Sequence, residues 1–268
     1  MISPLSILDS RTAKWLNRDT YWKSQGVQSE LGRDDTITKL SFLHQNYNTS
    51  VFDPVLTETM YDWFTIQGDN IYDPFCGGSV RGIVAGKMGR SYTGIDVRQE
   101  QLDENIRQST LLDLPLNYKT PYEKDTTDYD FIFTCPPYWN LEKYSNQEDD
   151  ISNMKEDDFF CEYEKILTNA VSKLKPNRFM AIVVGDVRRR GDLKQPKGSY
   201  ILLPHKTIEI LSKLGVFLYN DLIYINRGGS PTQKNHFNTY RKISKIHQNV
   251  LVFNKGDWKK ASKRINVI

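Results

Sequence analysis

Asn70-Ile71-Tyr72-Asp73-Pro74-Phe75-Cys76-Gly77-Gly78-Ser79 is the stretch on which the reading of the fold turns. A short apolar run ends on an acid and a proline, and two adjacent glycines follow. Val80, Ile83, Val84 and Met88 then recur at helical spacing, and Ser91-Tyr92-Thr93-Gly94-Ile95-Asp96 reads as a second strand. Strand, glycine turn, helix, strand and a closing acid about 20 residues on is the βαβ arrangement that receives a nucleotide-type ligand. The glycines let the backbone close on the ligand, and the acid takes ribose hydroxyls. The glycine spacing is not that of the dinucleotide G-x-G-x-x-G. A carboxylate at the end of the first strand suits a ligand with a positively charged amino-acid end better than a pyrophosphate.

A second stretch, Thr134-Cys135-Pro136-Pro137-Tyr138-Trp139, follows the apolar run Asp130-Phe131-Ile132-Phe133, which reads as a buried parallel strand. Neither proline can donate to a ladder, and each pushes its predecessor out of the helical region. The chain is therefore stiff and extended where this strand ends. In open α/β sheets ligands bind beyond the carboxyl ends of the strands, so a rigid turn followed by aromatic rings suits a flat, planar substrate.

Outward from these stretches, the sequence predicts a helix from Asp53 as N-cap and Pro54 as first helical residue, ending near Gly68. Further helices are predicted over 98–110, 159–174 and 203–214, with strands over 116–119, 129–135 and 178–186. Two more strand-like segments, 216–226 and 249–254, suit a hairpin with a long insertion. Residues 140–157 are polar and acidic and read as a surface loop. Residues 1–40 read as an N-terminal arm, its Trp15, Tyr21 and Trp22 packing a short helix on the body, and 41–268 as one domain. Alternating β and α closing on a hairpin argues an α/β doubly wound sheet.

At 268 residues the chain can bury a full core. The net charge of +3, from 36 basic and 33 acidic residues, is too small to argue for a nucleic-acid partner by itself. The three cysteines, Cys76, Cys135 and Cys161, have neither metal-ligand spacing nor the density of a disulfide framework. A reduced, intracellular setting is expected, with no metal and no membrane partner. No apolar run suits a signal peptide or a membrane span.

Asp73-Pro74-Phe75-Cys76-Gly77-Gly78-Ser79 resembles the S-adenosylmethionine motif of amino-group DNA methyltransferases (N4-cytosine and N6-adenine). Thr134-Cys135-Pro136-Pro137-Tyr138 is similar to their catalytic motif, in which Asp, Asn or Ser precedes Pro-Pro-Tyr or Pro-Pro-Phe. Ser50-Val51-Phe52-Asp53-Pro54 and the run from Arg241 to Phe253 resemble two further blocks of that family. The resemblance implies a Rossmann-like methyltransferase fold, with a mostly parallel seven-stranded sheet and a reversed strand in a C-terminal hairpin.

The resemblance also implies the cofactor, S-adenosylmethionine, and the roles of the site residues. Asp73 lies by the methionine amino group, with Phe75, Gly77 and Gly78 in the cofactor turn, and Asp96 takes the ribose. Ser50 and Asp53 help with the methionine end, although Asp53 serves equally well as a plain N-cap. Cys135 and the Pro136 carbonyl hold the two hydrogens of an exocyclic amino group, Pro137 sets the direction of that carbonyl, and Tyr138 stacks on a flipped-out base. Cys135 departs from the family pattern. A thiol is a weak acceptor beside Asp or Asn and is closest in size to Ser, which leans the reading toward cytosine N4, with adenine N6 close behind.

Double-stranded DNA is the expected partner, met by basic loops around 186–200 and 226–245. Arg188, Arg189, Arg227, Lys234, Arg241, Lys242 and Lys245 are the candidate contacts, the last five free of neighbouring acids and interleaved with His236, Phe237 and Tyr240. A monomer or homodimer in the cytoplasm of a prokaryotic or phage-infected cell is expected. The alternatives are an RNA or protein amide-nitrogen methyltransferase of the same fold, a nucleophilic Cys135 acting in carbon-5 methylation, and a catalytically silent DNA-binding protein.

Overall fold

A computed structural model of the chain describes residues 2–27, 52–139, 150–189, 198–225 and 233–265. Among these, eight strands form one sheet: β1 (Ile7–Asp9), β2 (Asn70–Asp73), β3 (Ser91–Ile95), β4 (Asn117–Lys119), β5 (Tyr129–Thr134), β6 (Leu174–Val184), β7 (Val216–Ile225) and β8 (His247–Lys255), in the order β1-β7-β8-β6-β5-β2-β3-β4. Only β8 runs against the rest, antiparallel to both β6 and β7. The helices are α1 (Ala13–Ser24), α2 (Pro54–Phe64), α3 (Val80–Lys87), α4 (Gln99–Leu111), α5 (Glu156–Lys173), α6 (Leu203–Lys213), α7 (Gln233–Tyr240) and α8 (Trp258–Ile265). None is long and apolar enough to cross a membrane.

Strand alternation divides the core into two layers. Phe131 and Phe133 of β5, Phe179, Ala181 and Val183 of β6, and Val250 and Val252 of β8 face one side, with Met60, Ile83 and Val84 of the helices above them. Ile132, Met180, Ile182, Leu251 and Phe253 face the other, against Phe159, Tyr163 and Leu167 of α5. A period of two on strands sandwiched between helices produces this division. Each Val, Leu, Ile, Phe or Met among them, buried completely, contributes roughly 1.5–3 kcal/mol.

The chain builds β2, β3 and β4 outward in one direction, then returns to lay β5 on the other flank of β2. The strand order therefore reverses between β2 and β5. Ile71 is level with Phe131 and Tyr72 with Ile132, so Asp73 and Thr134 emerge side by side at the carboxyl edge.

The expected seven-stranded sheet becomes eight because the N-terminal arm supplies β1, parallel to β7 with Ile7 opposite Ile223. Behind β1, α1 docks on α2: Arg18 pairs with Glu58, and the Trp22 indole donates to the same carboxylate at 2.8 Å. Residues 28–40 of the expected arm and 140–149 of the acidic loop lie outside the described residues. Glu156 and Asp157, expected in that loop, form with Asp158 the first turn of α5, where carboxylates complement the exposed N–H groups of a helix start. Lys175-Pro176 closes α5 but lies within β6, which begins at Leu174 without a connecting loop. The insertion in the β7–β8 hairpin carries α7, and α8 ends the described chain. Arg264 of α8 pairs with Asp69 and reaches Asp130.

Tyr118 on β4 is buried with its hydroxyl lacking a hydrogen-bond partner. It is wedged under α3, where a Cβ on Gly82 would stand 2.3 Å from the oxygen. The neighbouring Tyr92 hydroxyl donates to Asp73 Oδ2 at 2.7 Å. An orphaned hydroxyl costs stability and a satisfied one contributes, so Tyr118→Phe is expected to raise unfolding stability by about 1 kcal/mol and Tyr92→Phe to lower it by about 1.5–3 kcal/mol. Denaturant midpoints measure both; equal destabilisation by the two would contradict the assignment.

Candidate active site

The glycine turn after β2 is fastened from three directions. The Cys76 N–H donates to the Ile95 carbonyl at 2.9 Å, which ties the turn to the end of β3. Gly94 permits this approach: a Cβ there would lie 2.7 Å from Cys76 Cβ. Asn105 of α4 donates to the Gly77 carbonyl at 2.7 Å, and the Ser79 hydroxyl donates to Gln108 Oε1 at 2.6 Å. From α3, Arg81 Nη2 donates to the carbonyls of Phe75 and Cys76 at 2.7 and 3.0 Å. Burial pushes the Cys76 thiol well up, so it is an inert packing group.

Gly77 adopts φ +48°, in the left-handed region, and the space a Cβ would take holds nothing within 4 Å. That is a cradle in which a ligand can meet bare backbone. Asp96 stands beside it. Burial raises its pKa, while Arg98, both as a charge and through its N–H at 2.9 Å, and the Gly77 N–H act in the opposite direction. An open glycine turn next to a half-buried carboxylate fits the adenosine end of the expected cofactor.

Asp73 takes a different part from the one expected. It is completely buried, and four donors converge on it. Oδ1 accepts from the Thr134 hydroxyl at 2.6 Å and the Phe75 N–H at 3.2 Å; Oδ2 accepts from Arg81 Nε at 2.6 Å and the Tyr92 hydroxyl at 2.7 Å. The lone pairs of both oxygens are spoken for, so a contact with the methionine amino group is not what this carboxylate presents. The Arg81 guanidinium is equally enclosed, stacked over Phe52 at 4.3 Å. Burial alone would lower its pKa, yet the Asp73 charge beside it holds it above the ordinary value.

Asp53 is likewise a structural node. Oδ1 caps α2 through the Val55 and Leu56 N–H groups, and Oδ2 accepts from the Trp15 indole at 2.9 Å and the Tyr224 hydroxyl at 2.6 Å. The N-cap reading is the one that the geometry favours, since α1, α2 and β7 meet on it. Ser50 lies outside the described residues.

The catalytic-motif residues stand at the neighbouring strand end. Cys135 is half-buried, with Sγ and Tyr138 Oη 3.5 Å apart and either able to donate. The Tyr138 ring lies against the end of β6, where a Cβ on Gly185 would be 3.1 Å from it. Phe75 packs toward the same α5 layer, 6.0 Å between centroids from Tyr163. Trp139 is a packing residue: its indole is buried and donates to the Met154 carbonyl at 3.1 Å, holding the backbone at φ +48°.

The two basic segments separate in character. Arg189 is bidentate to Glu156 of α5 and also donates to Ser199 and the Tyr200 carbonyl; Arg188 donates to the Gly198 carbonyl and stacks on Tyr200 at 4.1 Å. Both arginines, expected to reach DNA, are committed to pinning their own loop. Arg241 and Lys242 instead are exposed, beside exposed Phe237 and Tyr240 of α7, and Lys245 lies two residues before β8. Because β8 is reversed, this segment rises from the same sheet edge as Cys135. Arg227 and the Lys234 side chain lie outside the described residues.

Sequence reasoning missed Arg81, Asn105 and Gln108. The signal was present in Gln101, Asn105 and Gln108, polar residues three and four apart and all buried on α4. A polar stripe on the buried face of a helix is a helix holding something other than core.

The described fold, with its glycine turn and acid at the strand switch, is that of the nucleotide-cofactor α/β methyltransferases. A family model described as DNA methylase matches residues 129–267, half of the chain, and the chain belongs to that family. Its cofactor is S-adenosylmethionine. The solved structures extend the likeness into the first half of the chain. A methyltransferase from Pyrococcus furiosus is 18% identical, with 79% of this chain and 88% of that chain covered at a TM-score of 0.50. The [4+2]-cyclase SpnF is 16% identical, covering 79% of this chain and 85% of that chain at a TM-score of 0.52. A cyclase on the same scaffold shows that these likenesses carry the fold and not the reaction. No curated protein sequence matches the chain.

Arg81→Met strands a buried carboxylate and is expected to cost about 3–5 kcal/mol in thermal or denaturant unfolding, much of which Asp73→Asn in the same chain restores. A double variant no more stable than Arg81→Met would refute the pairing. As the expected acceptor of ribose hydroxyls, Asp96 would meet the cofactor in its ionised form, whereas burial favours its protonated form before ligand arrives. Affinity for S-adenosylmethionine should therefore fall as pH is lowered through the raised pKa, starting at higher pH than an ordinary carboxylate would give. Calorimetric titration across acidic pH checks this, and Asp96→Ala should weaken binding about 10- to 100-fold with the pH dependence gone.

Proposed function

We propose that this chain methylates the exocyclic amino group of a cytosine (N4) or adenine (N6) in DNA, on a base swung out of the duplex. The observation that carries the reading is the adjacency of two turns at one strand switch: the cofactor turn after Asp73 and the Cys135-Pro136-Pro137-Tyr138 turn after Thr134, joined by the 2.6 Å hydrogen bond between those two residues. Membership of the DNA methylase family supports the substrate class.

The cofactor supplies a methyl already activated on a sulfonium. Gly77, Gly78 and Asp96 are the residues that hold it, and the protein's task is alignment. An exocyclic amino nitrogen is a poor nucleophile because its lone pair is delocalised into the ring. Cys135 Sγ and the Pro136 carbonyl, accepting from its two hydrogens, favour a pyramidal nitrogen with the lone pair freed. Pro137 fixes the direction of that carbonyl. The Tyr138 ring, backed by Gly185, supplies a flat face for the base. The nitrogen gains the methyl and loses one proton to water. Thiol size in place of a serine hydroxyl favours cytosine.

Arg241, Lys242 and Lys245 suit the phosphates of the flanking duplex, and exposed Phe237 and Tyr240 suit unstacked bases. Arg188 and Arg189 act indirectly, by shaping the loop at the end of β6.

The test is transfer of labelled methyl from S-adenosylmethionine to unmodified duplex DNA, with digestion to nucleosides and mass spectrometry. N4-methylcytosine or N6-methyladenine is the expected product. Replacing Arg241, Lys242 and Lys245 together by Ala should raise KM for DNA and flatten its salt dependence by up to about three charges' worth of slope. Ring-methylated cytosine would make Cys135 a nucleophile instead. Methylation of RNA but not DNA, or cofactor binding without any transfer, would overturn the reading.

A further inference from the structure

We infer that Asp73 and Thr134 form a positioning link through which the occupied cofactor turn sets the geometry of the Cys135–Tyr138 turn. The inference rests on the proposed methyl-transfer reading and goes beyond it, because neither residue touches substrate in this scheme.

The wiring is asymmetric. Asp73 Oδ2 is held on the cofactor side by Arg81, whose Nη2 also grips the carbonyls of Phe75 and Cys76 inside the glycine turn. Oδ1 is held by the Phe75 N–H and by the hydroxyl of Thr134, the last residue of β5 and the one directly before Cys135. Movement of the glycine turn therefore reaches Cys135 through Arg81, one carboxylate and one hydroxyl. Every group on this path is buried: Asp73 and Thr134 are at 0% exposure and Arg81 at 4%. Water cannot replace a lost partner there, and charge-assisted bonds in a low-dielectric interior are stiff. Asp73 is short of the reacting atoms by one strand, and Thr134 by one residue.

Tyr92 provides an internal control. Its hydroxyl donates to the same carboxylate at nearly the same distance, 2.7 Å against 2.6 Å for Thr134, and it is also buried. It enters from β3, on the far side from Cys135. If Asp73 merely stabilises the fold, removing either hydroxyl has the same consequence. If Asp73 positions the catalytic turn, only the Thr134 hydroxyl matters to turnover.

The experiment compares Thr134→Val, Thr134→Ser and Tyr92→Phe in the full chain. Two readouts are taken, steady-state methyl transfer and amide hydrogen exchange of Cys135, Tyr138 and Trp139 with and without S-adenosylmethionine. Expected for Thr134→Val is a kcat about 10- to 100-fold lower, with cofactor affinity within about twofold of wild type and no added protection of the three amides on cofactor binding. Thr134→Ser, which keeps the hydroxyl, should restore both kcat and protection; should the valine variant fail to fold, Thr134→Ala removes the hydroxyl in its place. Tyr92→Phe should lower the melting temperature while leaving kcat and protection as in wild type. Equal kcat losses in Thr134→Val and Tyr92→Phe, or wild-type protection in Thr134→Val, would overturn the link. Failure of the underlying reading looks different: wild type itself would bind no cofactor or transfer no methyl.

Discussion

The carboxylate of Asp73 is the constraint on which the functional edge of this protein depends. It is fully enclosed at the point where the strand order reverses, and a bare charge there would be untenable. Four donors from β5, the glycine turn, α3 and β3 make it tenable. Each is drawn from a different part of the chain, so satisfying one carboxylate forces the turn, the helix and two strand ends into a single arrangement. A buried ion pair of this kind adds little net stability over an apolar substitute, but it permits few alternative packings. Asp53 repeats the device on a smaller scale, joining α1, the cap of α2 and Tyr224 of β7.

The site acquires its character from the groups that stand at the edge of this arrangement. The backbone at Gly77 is open, Asp96 is half-buried and raised, and Cys135 and Tyr138 stand at the neighbouring strand end. The remaining polar groups nearby are consumed in holding these few in place. The same division runs through the basic residues. Arg188 and Arg189 are spent on a loop, whereas the reversed direction of β8 lifts Arg241, Lys242 and Lys245 onto the edge that carries Cys135. Charge near a site is informative only after its local partners have been subtracted.

Much of the architecture is legible in the chain because the signals are local. Pro54 after Asp53 starts a helix, the unbroken apolar run Phe131-Ile132-Phe133 marks a strand buried on both faces, and Gly77-Gly78 between strand and helix marks the ligand turn. The elements that sequence reading overlooked lack such signals. Ile7–Asp9 is three residues long and is a strand only because β7 offers it an edge. Glu156 and Asp157 look like loop residues until the exposed N–H groups of α5 give them a place. The polar stripe of α4 is visible in Gln101, Asn105 and Gln108, but that it holds the Gly77 carbonyl and the Ser79 hydroxyl is set only by the fold.

The sequence by itself determined the βαβ unit, the alternation of strands and helices closing on a hairpin, and the two motifs that follow neighbouring strands; the family resemblance added the mostly parallel sheet with a reversed strand. Tertiary structure alone decided what each charged residue does. Asp73, Asp53, Arg188 and Arg189 read as functional because a carboxylate or guanidinium next to a motif is chemically competent. In the folded chain their partners arrive from elements as far apart as Trp15 and Tyr224, and a buried charge is claimed by whichever donors or acceptors surround it. Motifs are local and survive in one dimension, whereas the satisfaction of buried polar groups is a property of all the neighbours in three.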